Sequence, residues 1–535
     1  MPQWNLADCL DRIAAIRADE EAVIQGKRTL SWKNLERRAR NLAAWMIERG
    51  ATHQGKVALY TYNHPAYMEA VYAAFKAALV PVNVNYRYRE EELRYLLDNA
   101  DAEIVVVHED FVPLLTKVVG QLPHIKGVLV VTEGGKEALP KGAAAYEKTA
   151  EDDRQEPKAV RSGDDMMFLY TGGTTGMPKG VMWRQDDLYY RFAAGGLGQP
   201  PASLGELEEY VRNVPMQLRT LIGPPLMHGT GWFTAMIAWL SGGTVILLDD
   251  PKSFQAEQLW QSVSRTKATA VTIVGDSFAR PMLRALESAA TPFDLSSLNM
   301  IASSGVMWSQ ETKQALLKFL PHVMLVDAFS SSEAVGMGLS ITTAAGAVST
   351  AKFQLTDKTR LFDENLRLLD TKPGMKGLVG VGGNQPVGYY KDPDKSARTF
   401  VSTEHGRFSI PGDWAVVNDD GVTLTLLGRG SVCINTGGEK VFPEEVEEVV
   451  KRFGGVKDAV VVGVPDDKWG EAITAVVSSS GTTIDTEALK AFVKEHLAGY
   501  KAPKHVVVVD EVYRSPSGKA DFKRTKQVAL ETLGL

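Results

Sequence analysis

Short β-branched runs alternate with longer amphipathic stretches through most of this chain, and that alternation restricts its fold more than any other feature. VALYTY (Val57–Tyr62) precedes PAYMEAVYAAFKAA, and REEELRYLLDNA precedes EIVVVH (Glu103–His108). Further on, TAVTIVG, SFARPMLRALES, NMIASSG, SQETKQALLKFL and VMLVDAF follow one another. Apolar runs this short, separated by helical patterns, predict mostly parallel strands covered by helices. The segment from Gly195 to Arg219 contains Gly and Pro and is weakly periodic, which predicts a mobile surface loop.

At 535 residues the chain is too long for one ordinary core, so more than one domain is expected. Its texture changes after Leu427. Upstream, TFVSTEHGRFSIPGDWAVVNDDGVTLTLLG reads as short strands with a turn at Asn418–Gly421. Downstream, FPEEVEEVVKRF opens on Pro443 with acidic residues in its first turns, as a helix macrodipole favours. DAVVVGV, EALKAFVKEHL and HVVVVD complete a small unit. The predicted fold is therefore α/β: a large N-terminal domain of helix-covered mixed and parallel sheets over 1–428, and a small mobile α+β domain over 429–535. The boundary falls at Gly428–Ser431.

A net charge of −6 offers no electrostatic reason for nucleic acid or an anionic membrane as partner. Cys9 and Cys433 are the only cysteines and lack metal-ligand spacing, which suits a reducing compartment. The N-terminus carries early acidic residues and no uninterrupted apolar core, so it is not a secretory signal. GTGWFTAMIAWLSGGTVILL (Gly229–Leu248) is uncharged and nominally long enough to span a bilayer. Ser241-Gly242-Gly243 interrupts it, and a buried helix followed by a strand is the better reading. A cytoplasmic enzyme is expected, and a homodimer is compatible with it.

Four clusters carry candidate chemistry. In YTGGTTGMPKG, Thr171, Thr174 and Thr175 supply hydroxyls, Gly172, Gly173 and Gly176 permit close backbone approach, and Lys179 adds a mobile charge. This stretch fails the Walker A pattern because Pro178 precedes Lys179. DAFSSSE (Asp327–Glu333) follows a strand, where a carboxylate is placed to hold Mg²⁺ beside a triphosphate. PGDW (Pro411–Trp414) and GRG (Gly428–Gly430) set an Asp and an Arg at two ends of a hairpin. RSPSGKA (Arg514–Ala520) presents Lys519 on a turn. Taken singly, Asp413 reads as a turn residue, Lys519 as a solvated charge and His228 as a core histidine. Their order along one chain raises all of them together.

TGGTTGMPKG, FSSSE, GDW…GRG, GGEKVFPEEVE and SPSGK resemble, in the right order and over nearly the full length, the signature motifs of the adenylate-forming superfamily. Within it, TGGTTGMPKGVMW looks most like bacterial fatty-acyl and steroid-side-chain CoA ligases. The resemblance implies ATP, Mg²⁺ and coenzyme A as cofactors and a two-step reaction. A carboxylate attacks the α-phosphate of ATP, and CoA then displaces AMP from the acyl-adenylate. It implies that Thr171, Thr174, Thr175 and Lys179 hold the β- and γ-phosphates. Ser332 would contact the α-phosphate and Glu333 would ligate Mg²⁺. Ser304, Gly305, Asp327, Ala328 and Phe329 would bracket adenine, and Asp413 with Arg429 would hold the ribose. Lys519 would bridge the acyl carboxylate and the α-phosphate. After adenylation the C-terminal domain would rotate about residues 430–431, bringing Gly437, Gly438, Glu439 and Lys440 to the thioester face.

His228, Gly231, Trp232, Ser330 and Gly336 are expected to line the acyl pocket. Acetate-using members carry Trp at the place of Ser330, so small residues here and in EAVGMG (Glu333–Gly338) imply a medium- to long-chain, branched or steroid-side-chain acid. Three positions depart from the family's pattern: Gly173 where Ser is common, Phe329-Ser330 for Tyr-Gly, and Ser431 at a hinge that usually carries Asp or Lys. An adenylating enzyme that passes its acyl group to a carrier protein is the alternative, opposed by the absence of an appended carrier domain. A nucleotide sensor without catalysis is opposed by Lys179, Glu333, Asp413, Arg429 and Lys519 together. No G-x-S-x-G occurs to suggest a serine hydrolase.

Overall fold

The structure is a computed structural model. It describes residues 4–535 apart from 134–138, 172–176, 197, 215, 307, 347–351, 437–438, 467–468, 498 and 516–517. Two sheets organise the large domain. In the first, Glu21–Gln25, Thr244–Leu247, Arg219–Ile222, Ala270–Ile273, Met300–Ser304 and Met324–Phe329 run parallel in that spatial order. It continues antiparallel through Gly338–Thr342, Lys352–Gln354 and Thr423–Arg429. In the second, Met166–Thr171, Val80–Asn83, Lys56–Tyr60, Ala102–His108 and Gly127–Val131 are parallel neighbours. The hairpin partner Lys179–Arg184 and the short strand Gly388–Tyr389 extend its edge antiparallel.

Helices Leu6–Ile16, Trp32–Glu48, Pro65–Lys76 and Gly229–Leu240 lie between the sheets, and one core cluster joins them to both. Each of these sheets is therefore buried on two faces, which is why its strands carry near-continuous apolar runs. Ala256–Thr266, Gly275–Glu287 and Gln310–Phe319 cover the outer face of the first sheet. Glu90–Asn99 and Val112–Val119 cover that of the second. Helix Gly229–Leu240 is apolar nearly all round, as a helix enclosed by two sheets should be. It stops at Ser241, with Gly242 at a φ of +72°, and the chain re-enters the sheet at Thr244. No helix among the described residues is long and apolar enough to cross a membrane.

The expectation of a loop over 195–219 is corrected. Leu204–Asn213 is a helix capped by the Ser203 hydroxyl, with Leu207 and Val211 buried and its side packed on helix Leu6–Ile16. Only Leu207 and Val211 of its apolar stripe are fully buried, and Gly and Pro flank it, so the helical period is weak in the sequence.

The last strand of the first sheet ends at Arg429. A single 3₁₀ turn, Gly430–Val432, separates it from Ile434–Thr436, which belongs to a five-stranded sheet of its own. Helices Pro443–Val450 and Thr486–His496 cover one face of that sheet. Phe522–Leu533 covers the other.

Candidate active site

The candidate residues gather where the parallel strands of the first sheet end. Strands Met300–Ser304 and Met324–Phe329 place Ser303 beside Asp327 and Ser304 beside Ala328. Gly305 follows at a φ of +92°, and a Cβ there would lie 3.4 Å from the Thr230 hydroxyl at the start of helix Gly229–Leu240. Two side chains of this group are engaged elsewhere. The Asp327 carboxylate is buried against Lys313 at 3.1 Å, and burial raises its pKa in spite of that ammonium. The Phe329 ring is 6 % exposed and packs on Phe353 at 5.4 Å. Adenine stacking on Phe329 is therefore not prepared in this arrangement, because the ring belongs to the core beneath the strand.

The hairpin of Met166–Thr171 and Lys179–Arg184 sets Thr171 opposite Lys179. Gly172, Gly173, Thr174, Thr175 and Gly176 lie outside the described residues. Lys179 forms an ion pair with Asp392, 213 residues away. Asp392 also caps helix Pro393–Thr399, accepting from the Lys395 amide at 3.0 Å. The Lys179 hydrogen bond is the main reason its carboxyl is held below the usual range.

Glu333 is buried, and its Oε1 accepts from the Tyr389 hydroxyl at 2.8 Å. Its main-chain carbonyl accepts from the Ser409 hydroxyl at 2.6 Å, and that of Ser332 accepts from Trp183 Nε1 at 3.0 Å. Tyr389 pairs through its backbone with Val181, so the Glu333 carboxylate is tied to the hairpin that bears Thr171 and Lys179. Among the described residues no group of three His, Cys, Asp or Glu side chains could hold a metal alone. One oriented carboxylate fits Mg²⁺, which usually keeps waters and takes its remaining ligands from substrate phosphates.

Asp413 opens strand Asp413–Val417 in register with Arg429, so these two stand side by side at the ends of neighbouring strands inside the sheet. The Arg429 side chain lies outside the described residues, as do Gly437, Gly438 and the side chains of Ser431, Glu439 and Lys440.

Lys519 comes from the small domain, and a built support positions it. Arg514 clamps Asp458 with two bonds, at 2.7 and 3.0 Å, and donates to the Gly518 carbonyl at 3.1 Å. The Ser515 amide donates to the Lys519 carbonyl at 2.7 Å, closing the turn. Gly518 has a φ of +77°, and a Cβ there would lie 2.2 Å from the Ser277 hydroxyl of the large domain. The turn is thus seated on helix Gly275–Glu287. In this arrangement Lys519 lies near enough to His228 for its charge to matter. Burial first, then the Lys519 and Arg87 charges, hold the His228 imidazole down to about 3, so it is neutral at physiological pH.

The residues expected around an acyl chain divide. His228 is half-buried at the N-terminal cap of helix Gly229–Leu240. Ser330 Oγ accepts from the Gly336 amide at 3.0 Å, folding the segment after Phe329 back on itself. Gly231 is pressed against the carbonyls of Pro224 and Pro225, where a Cβ would lie 2.5 Å from the nearer oxygen. Trp232 is 1 % exposed and packs on Phe192 and Phe233 within the core between the sheets. The half-buried stripe of that helix is instead Thr230, Thr234 and Ile237.

Several supporting residues were not evident in the sequence: Tyr389, Asp392, Ser409 and Lys313. Arg514 stands inside RSPSGKA, five residues before Lys519, and an arginine so near a functional lysine was the one available signal.

Residues 10–390 match the AMP-binding enzyme family, and 445–519 match the AMP-binding enzyme C-terminal domain. A medium/long-chain-fatty-acid–CoA/3-oxocholest-4-en-26-oate–CoA ligase of Mycobacterium tuberculosis (strain ATCC 25618 / H37Rv) is 38% identical over 532 residues, covering 98% of this chain and 96% of that protein. A 3-oxocholest-4-en-26-oate–CoA ligase of Rhodococcus rhodochrous is 37% identical over 536 residues, covering 98% and 95%. Among solved structures, an anthranilate CoA ligase in complex with anthranoyl-AMP superposes with a TM-score of 0.83 at 21% identity, over 100% of this chain and 99% of that one. Because the family matches span both the large and the small domain, this protein belongs to the AMP-binding, adenylate-forming enzymes.

Proposed function

We propose that the protein is an ATP-dependent acyl-CoA synthetase. It activates a medium- to long-chain, branched or steroid-side-chain carboxylic acid as the acyl-adenylate and transfers the acyl group to coenzyme A, releasing AMP and pyrophosphate. The observation that carries this reading is the seating of the Lys519 turn on the large domain, Gly518 against Ser277, with Glu333 tied to the hairpin that bears Lys179. A cation there draws together two anions that repel, the acid's carboxylate and the α-phosphate. A neutral imidazole beside it adds no second charge.

In this reading Lys179 leaves Asp392 for the β- and γ-phosphates, with Thr171 and the hairpin loop. Ser332 contacts the α-phosphate, and Asp413 and Arg429 hold the ribose. Ser304, Gly305 and the backbone of Asp327–Phe329 border the base. Glu333 would hold Mg²⁺, which neutralises charge on the triphosphate. The two domains divide at 428/429. Rotation about Gly430–Ser431 would withdraw Lys519 and bring Gly437–Lys440 to the thioester. The setting is cytoplasmic.

The named relatives act on fatty acids and a steroid acid, and the serine at 330 is consistent with room for either. Acyl-CoA formation across acids from acetate to 3-oxocholest-4-en-26-oate tests the proposal. A maximum at acetate or propionate would refute the assigned acid class. AMP release that requires an acyl carrier protein in place of CoA would refute the acceptor.

A further inference from the structure

Glu333 is a buried carboxylate that forms no ion pair with a side chain among the described residues. Its Oε1 accepts from the Tyr389 hydroxyl at 2.8 Å, and no described donor is bonded to Oε2. A carboxylate taken out of water is costly to keep unless a charge or several donors offset it. One neutral hydroxyl is a weak offset, which suits a group whose cation arrives with a ligand.

The bond to Tyr389 is not needed to hold the chain. The main-chain carbonyls of Ser332 and Glu333 are already fixed, by Trp183 Nε1 at 3.0 Å and by the Ser409 hydroxyl at 2.6 Å. What the Tyr389 hydroxyl adds is the direction of the side chain. With Oε1 taken, Oε2 is the oxygen left for a ligand.

Tyr389 is itself firmly placed. It is buried, its backbone pairs with Val181, and its amide donates to Ser396 Oγ at 2.8 Å. Its ring packs on Phe400 at 5.5 Å, and the Lys395 ammonium lies 4.4 Å from the ring centre. Helix Pro393–Thr399, which supplies Ser396 and Lys395, is capped by Asp392, the partner of Lys179. Val181 stands two residues beyond Lys179 on the same strand. One corner of the chain, 388–399, therefore holds both the carboxylate and the lysine that the proposed function gives to Mg²⁺ and ATP.

We propose that Tyr389 is a positioning residue: its hydroxyl fixes the rotamer of Glu333, so that the remaining carboxylate oxygen can take the metal that accompanies ATP. This rests on the acyl-CoA synthetase reading, with Glu333 as the Mg²⁺ ligand. Losing a hydrogen bond that orients a metal ligand typically costs roughly 10–100-fold in metal affinity.

The test measures nucleotide binding to the full-length protein by calorimetry, with α,β-methylene-ATP at increasing Mg²⁺ and again in EDTA. Tyr389→Phe keeps the ring contacts. It should raise the Mg²⁺ concentration for half-maximal binding by roughly 10–100-fold and leave metal-free binding within about twofold. High Mg²⁺ should restore most of its adenylation rate, which places the defect in the metal requirement and not in kcat. Glu333→Gln should abolish the metal dependence of binding. Metal dependence that survives in Glu333→Gln would overturn Glu333 as the ligand, and this assignment with it. A Glu333→Gln that loses the dependence beside a Tyr389→Phe that matches wild type would overturn the positioning role alone. Equal weakening of Tyr389→Phe with and without metal, or loss of its fold, would make the hydroxyl a structural bond and also overturn the role. A wild type that binds the analogue at no Mg²⁺ concentration would overturn the proposed function itself.

Discussion

Arg280 donates from Nη1 to the main-chain carbonyl of Lys457 at 2.7 Å, joining an outer helix of the large domain to the small one. The same guanidinium meets Asp276 at 3.3 Å, and Asp276 accepts from both the amide and the hydroxyl of Ser309 at 3.0 Å. One turn of helix therefore holds Arg280 for the small domain and offers Ser277 to Gly518. Removing this contact should weaken the arrangement that carries Lys519. A charged hydrogen bond contributes roughly 1.5–3 kcal/mol, and partial exposure puts this one at the low end. Arg280→Ala should slow acyl-adenylate formation about tenfold. Thioester formation from supplied acyl-AMP should stay within about twofold. Equal losses in the two half-reactions would count against the contact as a support of the first.

Lys519→Ala should reduce adenylation on the order of 10²–10³, the scale of losing one aimed electrostatic donor. The CoA step, started from synthetic acyl-AMP, should change little. Single-turnover measurement of each half separates the outcomes, and comparable losses in both would refute a role confined to adenylation.

The imidazole of His228 should stay neutral across the working range of the enzyme. Burial is the first cause and Lys519 the second, and together they hold it down to about 3. Histidine NMR should show one ring that titrates only in acid, and Lys519→Ala should move that titration upward. A His228 signal that titrates near 6.5 in the wild type would contradict the docked geometry.

Acid stability should report the clamp between Asp458 and Arg514. Burial alone would raise the Asp458 carboxyl, but the Arg514 bonds and the Lys451 charge outweigh it and bring it to about 2. A folded pKa below the unfolded value means stabilisation present above about pH 4 and lost as pH falls through about 2. That difference corresponds to at most roughly 2–3 kcal/mol. Asp458→Asn should unfold at lower temperature than wild type at pH 5, with the gap narrowing toward pH 2. A gap independent of pH would assign the effect to something other than the charge.

Ser330→Trp should shift selectivity toward shorter acids. The indole would occupy the space after Phe329 and break the bond from the Gly336 amide to Ser330 Oγ. Each methylene excluded forfeits roughly 0.8 kcal/mol, about fourfold in kcat/KM. An acid-length profile unchanged from wild type would show that position 330 does not bound the pocket.

Much of the fold was legible because strand and helix signals are local. Runs such as VALYTY and VMLVDAF became Lys56–Tyr60 and Met324–Phe329, and the interrupted apolar stretch after His228 became a helix and a strand. The helix Leu204–Asn213 was hidden because its stripe is narrow and bounded by Gly and Pro. Among site residues, those on short quoted motifs were visible, while their supports were not.

The sequence by itself determined the alternation of strands and helices, the two-domain division and the order of the glycine-, carboxylate- and lysine-bearing motifs, since each depends on residues close together in the chain. Tertiary structure alone decided what those motifs touch. Lys179 meets Asp392 across 213 residues, Glu333 meets Tyr389 across 56, and Arg514 meets Asp458 across 56. Tertiary structure also turned Trp232 into the core and left Thr230, Thr234 and Ile237 half-buried, a choice that a helix apolar on nearly every side does not encode. The physical reason is range: hydrogen bonds and ion pairs act over a few ångströms, and packing of the two sheets, not separation along the chain, sets which side chains come within that reach.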